Sequence, residues 1–402
     1  MSKKLDIQLD KIQKIIDQQE YLEEIHLYEK YSYIFDLVKK SLKNKKILLY
    51  GGTALNELFP KKYKIYKQEQ LPDIDVFAVD GLALAKYVVD YFIKKKGFNK
   101  NTTNYSEALH DGTYKVFLDG IQVLDITSIS KKAMKKLSEH SIIGDSGIPI
   151  VNPQFLRLSL HMLLSQSHDA HRWPKVYTRL LYFYKVFPPE PCKDLTNKVE
   201  NKLNNVFSEE LIDKVYTVLQ LPHNNQYILF GLHEIEMLLE KTIPDRTKFP
   251  LIQLLVQTED IKSVAIKIIN DFEFPFKNHM KLTKVYTSDE FIPEHIFIMY
   301  KNHRLISIYQ ASACVSYNEY KNMRIASIHT LLRMYLSMML SSYNHFSNSL
   351  DSIECLVNTL SIYHKKLSKS KRILAQEIIG QCYGSYKGLV TMRRDRLLRI
   401  AK

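Results

Sequence analysis

Residues 46–60 read KILLYGGTALNELFP, and residues 71–81 read LPDIDVFAVDG. The apolar run Ile47, Leu48, Leu49 and Tyr50 is that of a central strand. Gly51 and Gly52 continue a strand poorly, but they accept turn conformations and let a ligand approach the main chain. Thr53 then stands as a cap or first-turn residue ahead of the helical ALNELF. Such a strand, Gly-Gly-Thr turn and helix start would aim N–H groups and a hydroxyl outward, which is how a phosphate is held. In DIDVFAV, strand alternation sets Asp73, Asp75 and Phe77 on one face and Ile74, Val76 and Ala78 on the other. Two carboxylates therefore sit side by side, after a strand and turn suited to phosphate.

Upstream, Leu9, Ile12, Ile15 and Ile16, then Ile25, Leu27, Tyr31, Ile34 and Leu37, recur at helical spacing, and two amphipathic helices are predicted within residues 5–43. Downstream, Asp80-Gly81 opens an amphipathic helix to about Lys96. Residues 102–127 read as a three-stranded meander turning at Asp111-Gly112 and Asp119-Gly120. Its last strand, IQVLDIT, places Ile121, Val123, Asp125 and Thr127 on one face, with Asp125 its one acid. From Asn152 the pattern is helical and closes at PPEPC, residues 188–192. Lys175 and Arg179, four apart on one helical face, are candidates to reach a triphosphate, although a solvated basic face has the same pattern. Lys115 and Tyr105 are lesser candidates for the same role. His168, His171 and Trp173 read better as a helix end than as a base contact.

The second half repeats the first. YILFGLHEIEMLLEK from Tyr227 aligns with ILLYGGTALNELFPK from Ile47, and FPLIQLLVQTEDIKSVAIKIINDF from Phe249 follows QLPDIDVFAVDGLALAKYVVDYF. EHIFIMYKNHRLISIYQAS and IASIHTLLRMYLSMML continue the correspondence. In this register Asp73 and Asp75 become Leu251 and Gln253, Asp125 becomes Ser307 or a neighbour, and Gly52 and Thr53 become Leu232 and His233. The copy keeps the frame without the charge, which predicts a structural or RNA-holding role. The expected organisation is a helical region 1–45, a catalytic domain 46–192, a helical connector 193–222, a degenerate copy 223–345 and a basic helical region 346–402, where Arg393, Arg394, Arg396 and Arg399 cluster.

At 402 residues the chain is long enough for several cores, and 45% hydrophobic with 25% charged residues is the composition of a globular protein. No apolar run is long enough to span a membrane and the start MSKKLDIQLD lacks the core of a signal peptide, so a cytosol-like compartment is expected. Cys192, Cys314, Cys355 and Cys382 show no paired spacing, which argues against a zinc site and predicts buried free thiols. The net charge of +14 suits a polyanionic partner and also fits a lysine-rich soluble protein.

Three carboxylates facing a phosphate turn are what two-metal nucleotidyl transfer requires, with hard divalent cations preferring oxygen ligands. The expected roles are Asp73 and Asp75 bridging two ions, Asp125 completing the ion that activates the nucleophile, and Gly52 with Thr53 holding the triphosphate. GGTALNE, LPDIDVF and VLDIT together resemble the nucleotidyltransferase superfamily signature, and within it the chain is similar to the poly(A) polymerase catalytic subunits of poxviruses and related large cytoplasmic DNA viruses. The resemblance implies an α+β, polymerase-beta-like catalytic domain of mixed sheet and flanking helices, with a degenerate second copy and helical extensions. It implies ATP and an RNA 3′ end as substrates and two Mg²⁺ or Mn²⁺ ions. It also implies a homodimer or a viral processivity partner, and residence in host cytoplasm, viral factory or virion. By motif it carries over to Gly51, Gly52, Thr53, Asp73, Asp75 and Asp125. The alternatives are a nucleotidyltransferase of other specificity (uridylyl-adding, protein-modifying or small-molecule) and a non-catalytic RNA-binding subunit.

Overall fold

A computed structural model describes residues 2–66, 68–191, 207–221, 227–239, 252–311, 313–320, 323–341, 350–369, 383–384 and 389–400. The chain divides into two compact units, one of residues 1–156 with 388–402 and the other of residues 157–387.

The first unit opens with a single helix, α1 (Ser2–Leu42), where the sequence predicts two. Nothing in that stretch breaks a helix, as it contains neither Gly nor Pro. Only its end reaches a core: Ile34, Phe35, Val38 and Leu42 are buried, whereas Ile12, Ile15, Ile16 and Leu22 are exposed. Then follow β1 (Ile47–Tyr50), α2 (Gly51–Leu58), β2 (Asp75–Ala78), α3 (Gly81–Lys96) and the meander β3 (Asn104–Glu107), β4 (Thr113–Leu118) and β5 (Ile121–Ser128). After α4 (Lys131–Ser138), the short strands β6 (Ile142–Ile143) and β7 (Pro149–Ile150) complete one sheet, ordered β3-β4-β5-β2-β1-β7-β6. The predicted turns hold: Gly112, Asp119 and Gly120 have positive φ. Asp80 caps α3 by accepting from Ala83 N.

The helix α5 (Pro153–Leu164) spans the division between units. The second unit continues with α6 (Trp173–Val186), α7 (Glu209–Leu219), β8 (Tyr227–Leu229), α8 (Leu232–Leu239), β9 (Ile252–Val256), α9 (Ile261–Asn270), β10 (Met280–Leu282), β11 (His295–Tyr300), β12 (His303–Gln310), β13 (Tyr317–Tyr320), β14 (Met323–Ala326), α10 (Ile328–Leu340) and α11 (Leu350–Lys369). Its sheet is ordered β10-β11-β12-β9-β8-β14-β13, strand for strand that of the first unit, with every neighbouring pair running in the same sense as its counterpart. The architecture is α+β, two mixed sheets built on one plan.

Register makes the duplication residue-specific. Ile47 lies opposite Ala78 and Tyr227 opposite Val256; Asp75 lies opposite Asp125 and Gln253 opposite Ser307. Gln253 therefore stands where Asp75 stands, and Ser307 where Asp125 stands. Leu251 lies outside the described residues.

Two further sequence expectations change. Within the stretch read as a connector, α7 is a core element whose Leu211, Val215, Val218 and Leu219 pack into the second sheet's apolar cluster, as an amphipathic helix must; residues 193–206 and 222 lie outside the described residues. Cys314 and Cys355 are each disulfide-bonded rather than free, since sequence separation does not report which sulfurs meet after folding. Cys192 and Cys382 lie outside the described residues.

Within the second unit, α5, α6, α10 and α11 share a polar knot. His161 Nδ1 is 2.9 Å from His329 Nδ1 and His161 Nε2 is 2.9 Å from the Tyr184 hydroxyl, while the His364 ring centroid lies 4.8 Å from that of His329. Burial, reinforced by the neighbouring imidazoles, holds His161 and His364 well below the usual histidine range. Finally, α12 (Leu389–Ile400) returns to the first unit, where Arg399 Nε donates to Glu107 Oε1 at 2.8 Å. Arg393 and Arg394 stay exposed.

Candidate active site

The site grows from three strand ends in the first unit. Parallel pairing of β2 with β5 sets Asp75 directly opposite Asp125, and antiparallel pairing of β1 with β2 sets Tyr50 opposite Asp75. Adjacent strands lie about 4.8 Å apart, so both carboxylates rise from neighbouring positions of one sheet. Asp125 N donates to Ile74 O at 2.9 Å, locking the register between the acids.

Asp73 is exposed and lies just before β2, its main chain tied on both sides. Thr53 Oγ1 donates to the Asp73 carbonyl, and Asp73 N donates to the Tyr66 hydroxyl at 3.4 Å. Thr53 is thus buried and its hydroxyl turned inward, where the sequence had suggested an outward one. Gly51 begins α2 with φ +70°, a conformation an L side chain rarely adopts, and the Asp75 carboxylate packs against it. The first turn of α2 has no side-chain cap. Its N–H groups therefore remain for an anion, favoured further by the helix dipole.

Behind the acids stands an aromatic wall. Tyr50 stacks on Phe77 at 3.9 Å between centroids, Phe155 meets Phe77 edge-on, and the Tyr50 hydroxyl is 2.9 Å from Thr127 Oγ1. Burial, with the charges of Asp75 and Asp125, pushes the Tyr50 hydroxyl well above its ordinary range, so it stays a neutral hydrogen-bonding group. In α2, Asn56 Oδ1 accepts from Ile65 N and Tyr66 N, and Glu57 Oε2 accepts from Ser146 Oγ at 2.8 Å. The NE of GGTALNE therefore fixes the loop carrying Tyr66 and the β6–β7 turn; its sequence signal was two polar residues on a helix otherwise bound for the core.

Asp125 is half-buried. Lys115, opposite it on β4, donates to Oδ2 at 3.2 Å, and Gln122 Nε2 donates to Oδ1 at 2.9 Å. Lys115 also donates to Gln122 Oε1 at 3.0 Å, closing a triangle. Burial raises the Asp125 carboxyl above the usual carboxylate range, Lys115 pulls it down and Asp73 adds to the rise. Sequence reasoning had Lys115 as a phosphate contact and did not foresee its pairing with Asp125, which requires the strand register.

Three carboxylates on adjacent strand ends form an all-oxygen donor set, the chemistry that fits Mg²⁺ or Mn²⁺. Among the described residues, no three His, Cys, Asp or Glu side chains converge on one point as ligands do. The Asp125 oxygens are turned to Lys115 and Gln122. Lys175, exposed, and Arg179, half-buried, lie on α6 in the other unit. Trp173 donates Nε1–H to Leu163 O at 3.1 Å, a structural contact. No described helix is long and apolar enough to cross a membrane.

The profile of the family described as poly(A) polymerase catalytic subunit matches residues 36–170, the span from the end of α1 through α5. A candidate poly(A) polymerase catalytic subunit of Acanthamoeba polyphaga mimivirus is 21% identical across 94% of this chain and 71% of its own length. Its counterpart in African swine fever virus (isolate Pig/Kenya/KEN-50/1950) is 25% identical across 42% of this chain and 35% of its own length. Among solved structures, the crystal structure of the Megavirus polyadenylate synthase superposes with a TM-score of 0.73 and 18% identity, covering 98% of this chain and 83% of that one, so the fold is shared over both units. Residues 36–170, which hold the turn, the paired acids and the strand that bears Asp125, are thus the part of the chain that matches the family described as poly(A) polymerase catalytic subunit.

Proposed function

We infer that the protein is a template-independent polynucleotide adenylyltransferase that transfers AMP from ATP to an RNA 3′-hydroxyl and releases pyrophosphate. The observation that carries this reading is the contrast between the two units: one plan, with Asp75 and Asp125 paired in the first and Gln253 and Ser307 in their places in the second. A structural frame alone would not require the acids.

Asp73, Asp75 and Asp125 are the residues proposed to hold two divalent ions. When bound, such ions lower the pKa of the attacking hydroxyl and neutralise charge on the departing pyrophosphate. The Gly51-Gly52 turn and the free N–H groups of α2 are proposed to receive the triphosphate, with Thr53 acting through the Asp73 main chain. In the reaction the RNA 3′-oxygen bonds to the α-phosphorus of ATP, the bond from that phosphorus to the β-phosphate bridge breaks, and the hydroxyl proton passes to solvent. Asp75 is held in register by pairing with Tyr50 and Asp125 on the neighbouring strands. The same reading proposes action in the cytoplasm, viral factory or virion, on a track lengthened by self-association or by a processivity partner.

An Asp73→Asn, Asp75→Asn double variant tests the proposal. Loss of primer extension with ATP, at unchanged thermal stability, is expected; continued extension of a short RNA would sink the assignment. Offering each of the four nucleoside triphosphates separately to the wild type distinguishes adenylyl from uridylyl transfer.

A further inference from the structure

We propose that Lys115, tethered by Gln122, is an internal counter-ion that occupies the Asp125 carboxylate in the metal-free protein and must leave it before a divalent cation binds there. The proposal rests on the assignment of Asp125 as a metal ligand. Both Asp125 oxygens are taken, Oδ2 by Lys115 at 3.2 Å and Oδ1 by Gln122 at 2.9 Å, and the Lys115–Gln122 contact at 3.0 Å shuts the triangle. An incoming ion would share those oxygens with two donors and stand against the Lys115 ammonium, whose positive charge opposes it.

The internal repeat is an independent comparison. Register places Phe297 where Lys115 stands, Arg304 where Gln122 stands and Ser307 where Asp125 stands. Where the acid is gone, the lysine and the amide are gone with it, and the Arg304 guanidinium stacks on Phe297 at 3.7 Å from its centroid. A lysine serving only strand packing or solubility would not need to disappear with the acid. The trio therefore behaves as one device in the first unit and is replaced as one in the second.

Physical chemistry explains the choice of lysine. Asp125 sits beside Asp73, and its side chain is 22% exposed, so a bare carboxylate there is costly until a cation arrives. An ammonium on a flexible stem supplies one positive charge through a single contact and leaves easily. A guanidinium would grip both oxygens and exchange slowly. A divalent ion, with twice the charge, displaces the ammonium. Lys115 on this account is a positioning residue: it acts on Asp125.

The experiment is Mn²⁺ binding to the full chain without nucleotide or RNA, followed by calorimetry and by electron paramagnetic resonance of free Mn²⁺. Lys115→Met is expected to bind Mn²⁺ about fivefold more tightly than wild type. Lys115→Arg is expected to bind it more weakly. Gln122→Leu, which leaves all charges in place, should shift affinity in the same direction as Lys115→Met by a smaller factor, and serves if the methionine variant does not fold. On an Asp125→Asn background the Lys115→Met gain should vanish, which separates competition for that carboxylate from a general change in charge; a gain that persists there overturns the proposal. Binding in the wild type with no gain in Lys115→Met and Gln122→Leu also overturns it and leaves the site assignment standing. Absence of any wild-type Mn²⁺ binding that depends on Asp125 overturns both.

Discussion

Gly51 and Asp75 fit together only because Gly51 lacks a side chain: a Cβ built there would stand 2.3 Å from Asp75 Oδ2, and the residue's φ is +70°. Both facts forbid substitution, one by strain and one by collision with a proposed metal ligand. Gly51→Ala is expected to cost about 1–2 kcal/mol for the left-handed conformation alone, and to move the Asp75 carboxylate from its place. Urea unfolding should register the first effect. Primer extension should fall by more than the loss of folded protein accounts for; activity that merely tracks stability would show that Asp75 has no need of this contact.

The second unit does not regain chemistry when its charge is restored. Gln253 is fully buried, and its amide oxygen accepts from the Tyr335 hydroxyl at 2.7 Å, with Phe230 and Tyr309 around it. Gln253→Asp would place a carboxylate in this wall without a cation. A stability loss of about 2–4 kcal/mol is expected, with Mn²⁺ stoichiometry unchanged. Paired with Leu251→Asp, it should still give no activity when Asp73 and Asp75 are neutralised; extension in that background would make the second unit a latent enzyme.

Glu234, on α8, gives the second unit a pH signature. Burial pushes its carboxyl up to about 7, and its one described side-chain partner is the Tyr216 hydroxyl, 3.1 Å from Oε1. The folded state therefore prefers the protonated form more than the unfolded chain does. That contribution to stability is complete below the unfolded value near 4.5 and is lost as pH rises through about 7. Glu234→Gln, neutral at every pH, should match wild type near pH 5 and exceed it in melting temperature near pH 8. Parallel melting curves at the two pH values decide the matter, and equal differences would mean that Glu234 is charged in the fold.

Much of this was readable in the residues themselves. Ile47 to Tyr50, the glycine turn, the Asp80 cap and the Asp119-Gly120 turn are local signals, and they survive folding because each satisfies its own backbone. The repeat was legible in depth, since the alignment that set Gln253 against Asp75 is the one the strand register gives. What escaped depends on distance in sequence. Lys115 meets Asp125 only through β4–β5 pairing, Thr53 finds the Asp73 carbonyl twenty residues away, and α7 looked like a connector because its polar face is as long as its apolar one. The helix α1 was divided in two by assuming that every apolar position seeks a core, whereas Ile12, Ile15 and Ile16 are exposed.

The histidine knot carries a consequence for how the two halves can be separated. His161 on α5 and Tyr184 on α6 belong by sequence to the first repeat, yet they meet His329 from the second and His364 from the helical region that follows it. The seam between repeats is thus not a seam between foldable pieces. A fragment ending at the PPEPC run would lack α10 and α11 and leave His161 with Tyr184 but without His329. The boundary between the two repeats in sequence therefore runs through one shared core of the second unit, not between two separate ones.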